Sequence, residues 1–499
     1  MNLLKKIPFF LILLAVFFCL HGSVENYGHL DLGEVVMVGL TILACMAVFW
    51  ALVWLISRNL LFASLLTFFI SLWYLFFGAI HDLLKTTSFL HFLKSYTVLL
   101  PVLLVINLLF IWWLKKNKQL YTKLFLYLNV LFIIFCVTDG FMLLKAYNNY
   151  RNNKIDFSRS VRFDHNKVTT KPNVYFLLFD EYAGYKSLRD SFGFKNDSLY
   201  HFLKQQQFTE LPVFSNYDFT PYSMASIFNM QYIPEQYNKK LLTQQDIQHR
   251  FQDIRDARVR GIFMSMDYGI ENYSIFDFRF YPALYDANGL FPIHAALLTN
   301  KIFHKRVIKD IGWWFITGKF KVPLLNKHAM YKDDVYNTTV KEKLLQSAAT
   351  RSDKPKFCYA HFFLPHGPYF RDSTGAFNSP EKIPDLYNKP VYLSYVKYAN
   401  SVIRSLVTNI TASDPTAIVV VMSDHGFYDY NTPDNYAPYN FDNICFVKFP
   451  AAPADTVNLP HSNVNFFRYF FNKAYGQNIP YLKDSTVFVV EDGAFKPAQ

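Results

Sequence analysis

Between Ile7 and Leu144 the chain is a succession of apolar runs almost free of charge, whereas beyond Lys145 acids, bases, proline and glycine are spread throughout. So much apolar chain in one stretch makes the bilayer the first solvent to consider. Five runs approach or exceed the about 20 residues that a hydrocarbon core requires: roughly residues 7–20, 35–56, 60–80, 97–114 and 120–144. The first is the shortest and follows Lys5 and Lys6, as a signal peptide would. The next residues, His21-Gly22-Ser23-Val24, supply no small-residue cleavage site, so an uncleaved helix is expected.

Basic residues orient such a bundle, because short cytoplasmic loops carry the excess of Lys and Arg. With the N-terminus inside, the inner loops hold Lys5, Lys6, Arg58 and Lys115–Lys118, with Lys123 just beyond; the outer loops hold only Lys85 and Lys94, among Glu25, Asp31 and Asp82. An odd number of spans then delivers everything after Lys145 to the outside. The organisation expected is a membrane domain over 1–146, a polar linker over 147–172 and a catalytic domain over 173–499. A transporter would be expected to carry ionisable groups inside its spans. Here His81, Asp82 and Asp139 read as span-end residues, and the spans as an anchor.

The net charge of +12 does not point to nucleic acid, because many bases sit at the ends of the apolar runs and the rest form no arginine-rich stripe. Five cysteines make no disulfide framework. Cys19, Cys45 and Cys136 fall in the apolar runs; Cys358 and Cys445 lie in strand-like segments, where a buried thiol is the ordinary state.

In the second half, β-rich runs alternate with amphipathic stretches. Strands are predicted at 174–179, 261–266, 357–363, 417–422 and 444–449, and helices at 198–207, 335–349, 392–410 and 464–475. Near-continuous apolar strands between helices indicate an α/β domain, a largely parallel sheet with helices on both faces. Ligands gather at the carboxyl ends of such strands. Two of these end in acids: Asn173-Val-Tyr-Phe-Leu-Leu-Phe runs into Asp180-Glu181, and Ala417-Ile-Val-Val-Val-Met into Ser423-Asp424-His425-Gly426. Carboxylates beside an imidazole suit Mn²⁺, Zn²⁺ or Mg²⁺, and Gly426 would let the backbone turn away sharply.

Taken in order, Asn-Val-(apolar)₅-Asp-Glu, Thr220-Pro-Tyr-Ser223, Pro365-His366-Gly-Pro368 and Asp424-His-Gly426 resemble the alkaline phosphatase/sulfatase superfamily. With the hydrophobic N-terminal half, the chain is more narrowly similar to lipoteichoic acid synthase and the lipid A phosphoethanolamine transferases. The resemblance implies an alkaline phosphatase-like sheet and one divalent metal ion held by Asp180 and/or Glu181, Thr220, Asp424 and His425. It implies Thr220 as nucleophile, since a hydroxyl gains nucleophilicity on a metal. It also implies substrate contacts from His361, His366, Ser223 and His461, with His366 placed to protonate a leaving group. Sulfatases carry Cys or Ser in Cys-x-Pro-x-Arg for conversion to formylglycine, and this sequence has no such motif. Read from the residues alone, Thr220 is the cap of the helix that Pro221 begins; the nucleophile role comes with the resemblance.

The expected activity is transfer of a phosphoethanolamine- or phosphoglycerol-like head group from a membrane lipid to an envelope acceptor, lipid or glycan, in a bacterial inner membrane. The alternatives are a hydrolase of phosphate or sulfate esters and a catalytically silent envelope-assembly protein. Asn-x-Ser/Thr sequons such as Asn272 and Asn337 carry no weight in a bacterium.

Overall fold

The computed structural model describes residues 3–491 except 28–29, 31, 88–91, 154, 156, 158–160, 235–240, 243, 286–295, 317–330, 380–381, 384–387, 428–436 and 451–456. Two compact units emerge, residues 1–154 with 288–314, and residues 155–287 with 315–499. Residues 296–314, expected within the catalytic domain, thus cluster with the N-terminal unit.

In the first unit the helices are α1 (Phe9–Glu25), α2 (Leu32–Ser57), α3 (Leu60–Leu75), α4 (Phe77–Thr86), α5 (Tyr96–Lys116) and α6 (Tyr121–Asn153). Among the described residues, three helical stretches, Leu32–Ser57, Tyr96–Lys116 and Lys118–Asn148, are long and apolar enough to cross a membrane. The predicted third span is instead two helices, α3 and α4, bent by 55° at their junction, and α1 has only 17 residues. Large apolar side chains stay exposed along the long helices, among them Leu104, Leu108 and Trp112 of α5 and Val137 and Phe141 of α6. Such continuous apolar surface is at home in lipid. Asn129, buried in α6, accepts from Phe10 N at 2.7 Å and donates to the carbonyls of Leu4 and Ile7 at 2.8 Å. It thereby satisfies the Phe10 N–H, one of those that the start of α1 leaves without a helical partner, and ties the segment before α1 to α6.

The second unit is built on a six-stranded sheet of β1 (Val174–Phe179), β2 (Thr209–Glu210), β4 (Gly269–Tyr273), β5 (Lys356–Phe362), β6 (Ile418–Met422) and β7 (Cys445–Lys448); β3 (Leu241–Leu242) pairs separately with β8 (Val490–Glu491). The order is β2-β7-β6-β1-β5-β4; β6, β1, β5 and β4 are parallel, and β7 and β2 add antiparallel pairings at one edge. Every residue of β1 is buried. Alternation divides it between two cores: Val174, Phe176 and Leu178 pack with Met224, Phe228, Phe466 and Phe467, while Tyr175, Leu177 and Phe179 pack with Leu344, Tyr392, Tyr395 and Val396. Helices therefore cover both faces, as the unbroken hydrophobicity of the strand demands.

One predicted strand fails. Residues 261–266 are not a strand but part of the helix Arg258–Ser265. Val259, Ile262, Phe263 and Met266 are buried at helical spacing, and the strand is the following Gly269–Tyr273, whose Glu271 and Asn272 hid it. Cys358 and Cys445 are buried free thiols. Asn272 and Asn337 are both engaged: Asn272 donates to the Phe276 and Tyr281 carbonyls, and Asn337 to that of Phe363.

Candidate metal centre and active site

Strands β1 and β6 are parallel neighbours, with Leu178 opposite Met422. The residues just past them, Asp180 and Asp424, therefore leave the sheet side by side at its carboxyl edge. Strand β5 flanks β1 on the other side and places His361 opposite Leu178. Asp180, Asp424 and His425 each offer a ligand atom within 4.8 Å of the others, and all three are buried. Asp424 Oδ2 is buried without a hydrogen-bond partner, 3.3 Å from His425 Nε2.

Thr220 is the first residue of the helix Thr220–Asn229, with Pro221 beside it. Its N-cap is Phe219, which makes no side-chain cap. The Thr220 hydroxyl is thus not a capping group; it points to the acids, 3.1 Å from His425 Nε2 and 3.4 Å from Asp180 Oδ1. Thr220 is half-buried, whereas Asp180, Asp424 and His425 are almost wholly enclosed.

The other four predicted residues stand differently toward this cluster. His361, fully buried, bonds Asp180 Oδ2 through Nε2 at 3.3 Å and the Tyr359 hydroxyl through Nδ1 at 2.8 Å. His366 keeps 41% of its side-chain surface and sets Nε2 3.9 Å from Glu181 Oε2. Ser223 is buried one turn into the helix and donates to the Asp424 carbonyl at 2.7 Å, so it braces the Asp424-His425 turn from behind. His461 is exposed, and its backbone carbonyl accepts from Phe214 N at 3.1 Å.

Glu181 adopts a left-handed conformation, φ 59°, which costs a non-glycine residue about 1 kcal/mol or more. Its N–H donates to Asp424 Oδ1 at 3.2 Å and its carbonyl accepts from the Tyr392 hydroxyl at 2.8 Å. These bonds hold the strained turn and send consecutive acids in different directions, Asp180 to Thr220 and Glu181 to His366. Gly426 serves close approach rather than a sharp turn: its φ is not positive, and a Cβ there would meet the Tyr439 carbonyl at 2.3 Å.

Three supporting residues escaped the sequence reading. Asn463 donates to the Asp424 and Ser423 carbonyls at 3.2 and 3.3 Å, Tyr392 spans Glu181 and Ala183, and Asn337 pins Phe363 through both backbone groups. The Asn-rich run Ser462-Asn-Val-Asn465 is the one local signal that could have drawn attention to Asn463.

Burial pushes Asp180 up, but His366, His361 and His425 outweigh it and hold the carboxyl well below its usual range. Asp424 is pushed up by burial and by the charge of Asp180. Burial draws His366 down, yet Asp180, Glu181 and the Gly367 carbonyl lift it to about 9. His425 is raised likewise, by Asp424 and Asp180 against its burial. Two buried carboxylates, one with an orphaned oxygen, and an imidazole leave a deficit of positive charge that a divalent cation would fill, and O/N donors of this kind suit one.

A family model for sulfatases matches residues 176–471, more than half of the chain. The chain belongs to the sulfatase family. It is accordingly an enzyme of phosphate- or sulfate-ester chemistry. Among solved structures it is similar to the C-terminal periplasmic domain of EcEptC from Escherichia coli in complex with Zn, at 12% identity over 67% of this chain and 90% of that one, TM-score 0.39. It is also similar to the phosphonate monoester hydrolase SpPMH from Silicibacter pomeroyi, at 14% identity over 63% and 75%, TM-score 0.37. No curated protein matches the chain significantly.

Proposed function

We propose that this protein transfers a phospho-head-group, phosphoethanolamine- or phosphoglycerol-like, from a membrane lipid to an envelope acceptor through a covalent intermediate on Thr220. The observation that carries the reading is the Thr220 hydroxyl, half-accessible, uncapped and turned toward Asp180 and His425. The sulfatase nucleophile motif Cys-x-Pro-x-Arg is missing from the sequence, which favours phosphate over sulfate esters.

Asp180, Asp424 and His425, with Thr220, are the residues that would hold one divalent ion, Mn²⁺, Zn²⁺ or Mg²⁺. Such an ion supplies Lewis acidity that makes a hydroxyl oxygen nucleophilic and offsets phosphoryl charge. Thr220 Oγ1 forms a bond to phosphorus as the bond to the donor's alcohol breaks, giving a phosphothreonine diester. The Thr220 proton leaves toward the facing carboxylate and imidazole. His366, charged and open to solvent, gives its proton to the departing alcohol. In the second half an acceptor hydroxyl attacks phosphorus, its proton passes to His366, and Thr220 recovers its hydroxyl. The free N–H groups at the start of the Thr220 helix favour the phosphoryl oxygens.

In the same reading the N-terminal unit crosses a bacterial inner membrane five times, with α1 and the bent α3/α4 pair each counted as one span. The basic loops at Lys5/Lys6, Arg58 and Lys115–Lys118 lie inside, and the catalytic domain, from about residue 173, lies outside. Mass spectrometry of Thr220 after incubation with native lipids tests the proposal. A head-group adduct on Thr220, discharged by an acceptor, is expected. Accumulation of free phosphate ester with water alone would make the protein a hydrolase. Undiminished biological function of Thr220→Ala would mean a non-catalytic envelope role.

A further inference from the structure

Residues 296–310 belong by sequence to the catalytic half, yet they are bound into the membrane unit by polar and apolar contacts. Leu298 and Ile302 are buried in the core of the membrane helices. Phe303 packs edge-on against Phe77 and Trp73. Two glycines permit the approach. A Cβ on Gly22 would meet Leu298 Cδ2 at 2.1 Å, and one on Gly78 would meet the Lys301 backbone at 2.7 Å. At the break between α3 and α4, the Lys301 carbonyl accepts from Gly78 N at 2.7 Å, one of the N–H groups that the start of a helix leaves without a partner.

A polar lattice surrounds these contacts. Tyr96 donates to Asp310 Oδ2 at 2.7 Å, and Arg306 Nε reaches the same oxygen at 3.3 Å. Arg306 also bonds Asp82, and Lys301 bonds Glu25. His81 and Lys85 face Asp310 at 3.6 and 3.8 Å, and Tyr74 meets His304 Nδ1 at 2.8 Å. Every membrane-helix residue named here lies at one end of the bundle: the end of α1, the end of α3, along α4, and the start of α5. It is the end opposite Lys5/Lys6, Arg58 and Lys115–Lys118, and the end at which α6 hands the chain to the linker. The chain passes between the two units three times, near residues 154, 287 and 314.

We infer that residues 296–310 are a second anchor, which docks on the membrane helices and keeps the catalytic half at the membrane independently of the 147–172 linker. Six polar side chains on the helices and two glycine contacts make the dock specific to this protein's own helices rather than to lipid in general. The inference rests on the membrane reading of the N-terminal unit and not on the phosphotransfer chemistry, so its test reads no activity.

The experiment uses the full chain with a protease site replacing residues 156–160, cut in membrane vesicles and, separately, in mild detergent. After cutting, the C-terminal fragment is expected to stay with the membranes through a salt wash and to co-elute with the N-terminal fragment in detergent. Gly78→Leu, which drives a side chain into Lys301, is expected to lose that co-elution. The paired Arg306→Gln and Asp310→Asn change, milder toward folding, should do the same while the uncut protein still elutes as a single species. Release of the wild-type fragment from vesicles would overturn the inference. So would retention in vesicles with release in detergent, which would mean that lipid, not the helices, holds it. Co-elution undisturbed in both variants would overturn the assigned contacts.

Discussion

The Thr220 hydroxyl lies 3.1 Å from Nε2 of His425, a residue 205 positions away along the chain. Parallel pairing of β1 with β6 sets Asp180 beside Asp424 and His425, and the helix that begins at Thr220 aims its hydroxyl into the same group. Thr220→Ala is expected to lower turnover of an aryl phosphodiester by about 10⁴-fold or more, the scale on which loss of a nucleophile is felt. Thr220→Ser should retain part of the rate. A full rate in the alanine variant, with metal content unchanged, would remove Thr220 from the chemistry.

The two adjacent acids make different predictions. Asp180 sits within the group of Asp180, Asp424 and His425 that could hold a metal ion, whereas Glu181 faces His366. Metal analysis of purified protein should find roughly one ion per chain, lost in Asp180→Asn and Asp424→Asn and retained in Glu181→Gln. Chelation should lower the melting temperature, since an ion at about 100 times its dissociation constant contributes about 2.7 kcal/mol. Metal loss in Glu181→Gln with retention in Asp180→Asn would reverse the assignment.

His366 carries a pKa of about 9 because neighbouring carboxylates outweigh its partial burial. In metal-free protein its ring should be charged at neutral pH, and NMR should show it losing the proton near 9; bound cation should move that titration down. The raised value favours folding in full below about 6.5, the ordinary imidazole pKa, and that contribution disappears as pH rises through about 9. His366→Ala should slow esters of poorly acidic alcohols by about 10²-fold or more and aryl esters much less. Equal losses for both would argue against leaving-group protonation.

Asp218 is fully buried, and burial pushes its carboxyl up to about 6. Its Oδ1 accepts from Val489 N at 2.8 Å, a bond that an asparagine oxygen can keep. Between about pH 4 and 6 the native state holds the proton more tightly than the unfolded chain, so rising pH removes stability, on the order of 3 kcal/mol. Urea unfolding of metal-free Asp218→Asn should therefore gain on the wild type by about that amount from pH 4 to pH 7. A difference that stays constant with pH would show that Asp218 titrates normally.

The central strands were legible because β1, β5 and β6 are buried on both faces and must be apolar throughout. The acids at their ends stand out against that background. The edge strand Gly269–Tyr273 was not, because it carries Glu271 and Asn272, and the helix before it was mistaken for it. Thr220 was located by the Thr-x-x-Ser pattern of the family resemblance, with Pro221 marking a helix start; capping and nucleophilic roles look alike in sequence, and what tertiary structure adds is the direction of the hydroxyl, toward His425 and Asp180. Ser223, drawn into the same motif, proves to brace Asp424 from behind the site.

By itself the sequence determined the apolar helical half, the α/β half with acids at strand ends, and the order of the motifs, since these follow from periodicity and residue chemistry along the chain. Tertiary structure decided which acid joins Asp424 and His425, that Gly426 makes room for the backbone near Tyr439, and that residues 296–310 belong with the membrane helices. Each of these depends on distance between segments far apart in sequence. Pairing register, a left-handed turn at Glu181 and glycine contacts set those distances, and local composition records none of them.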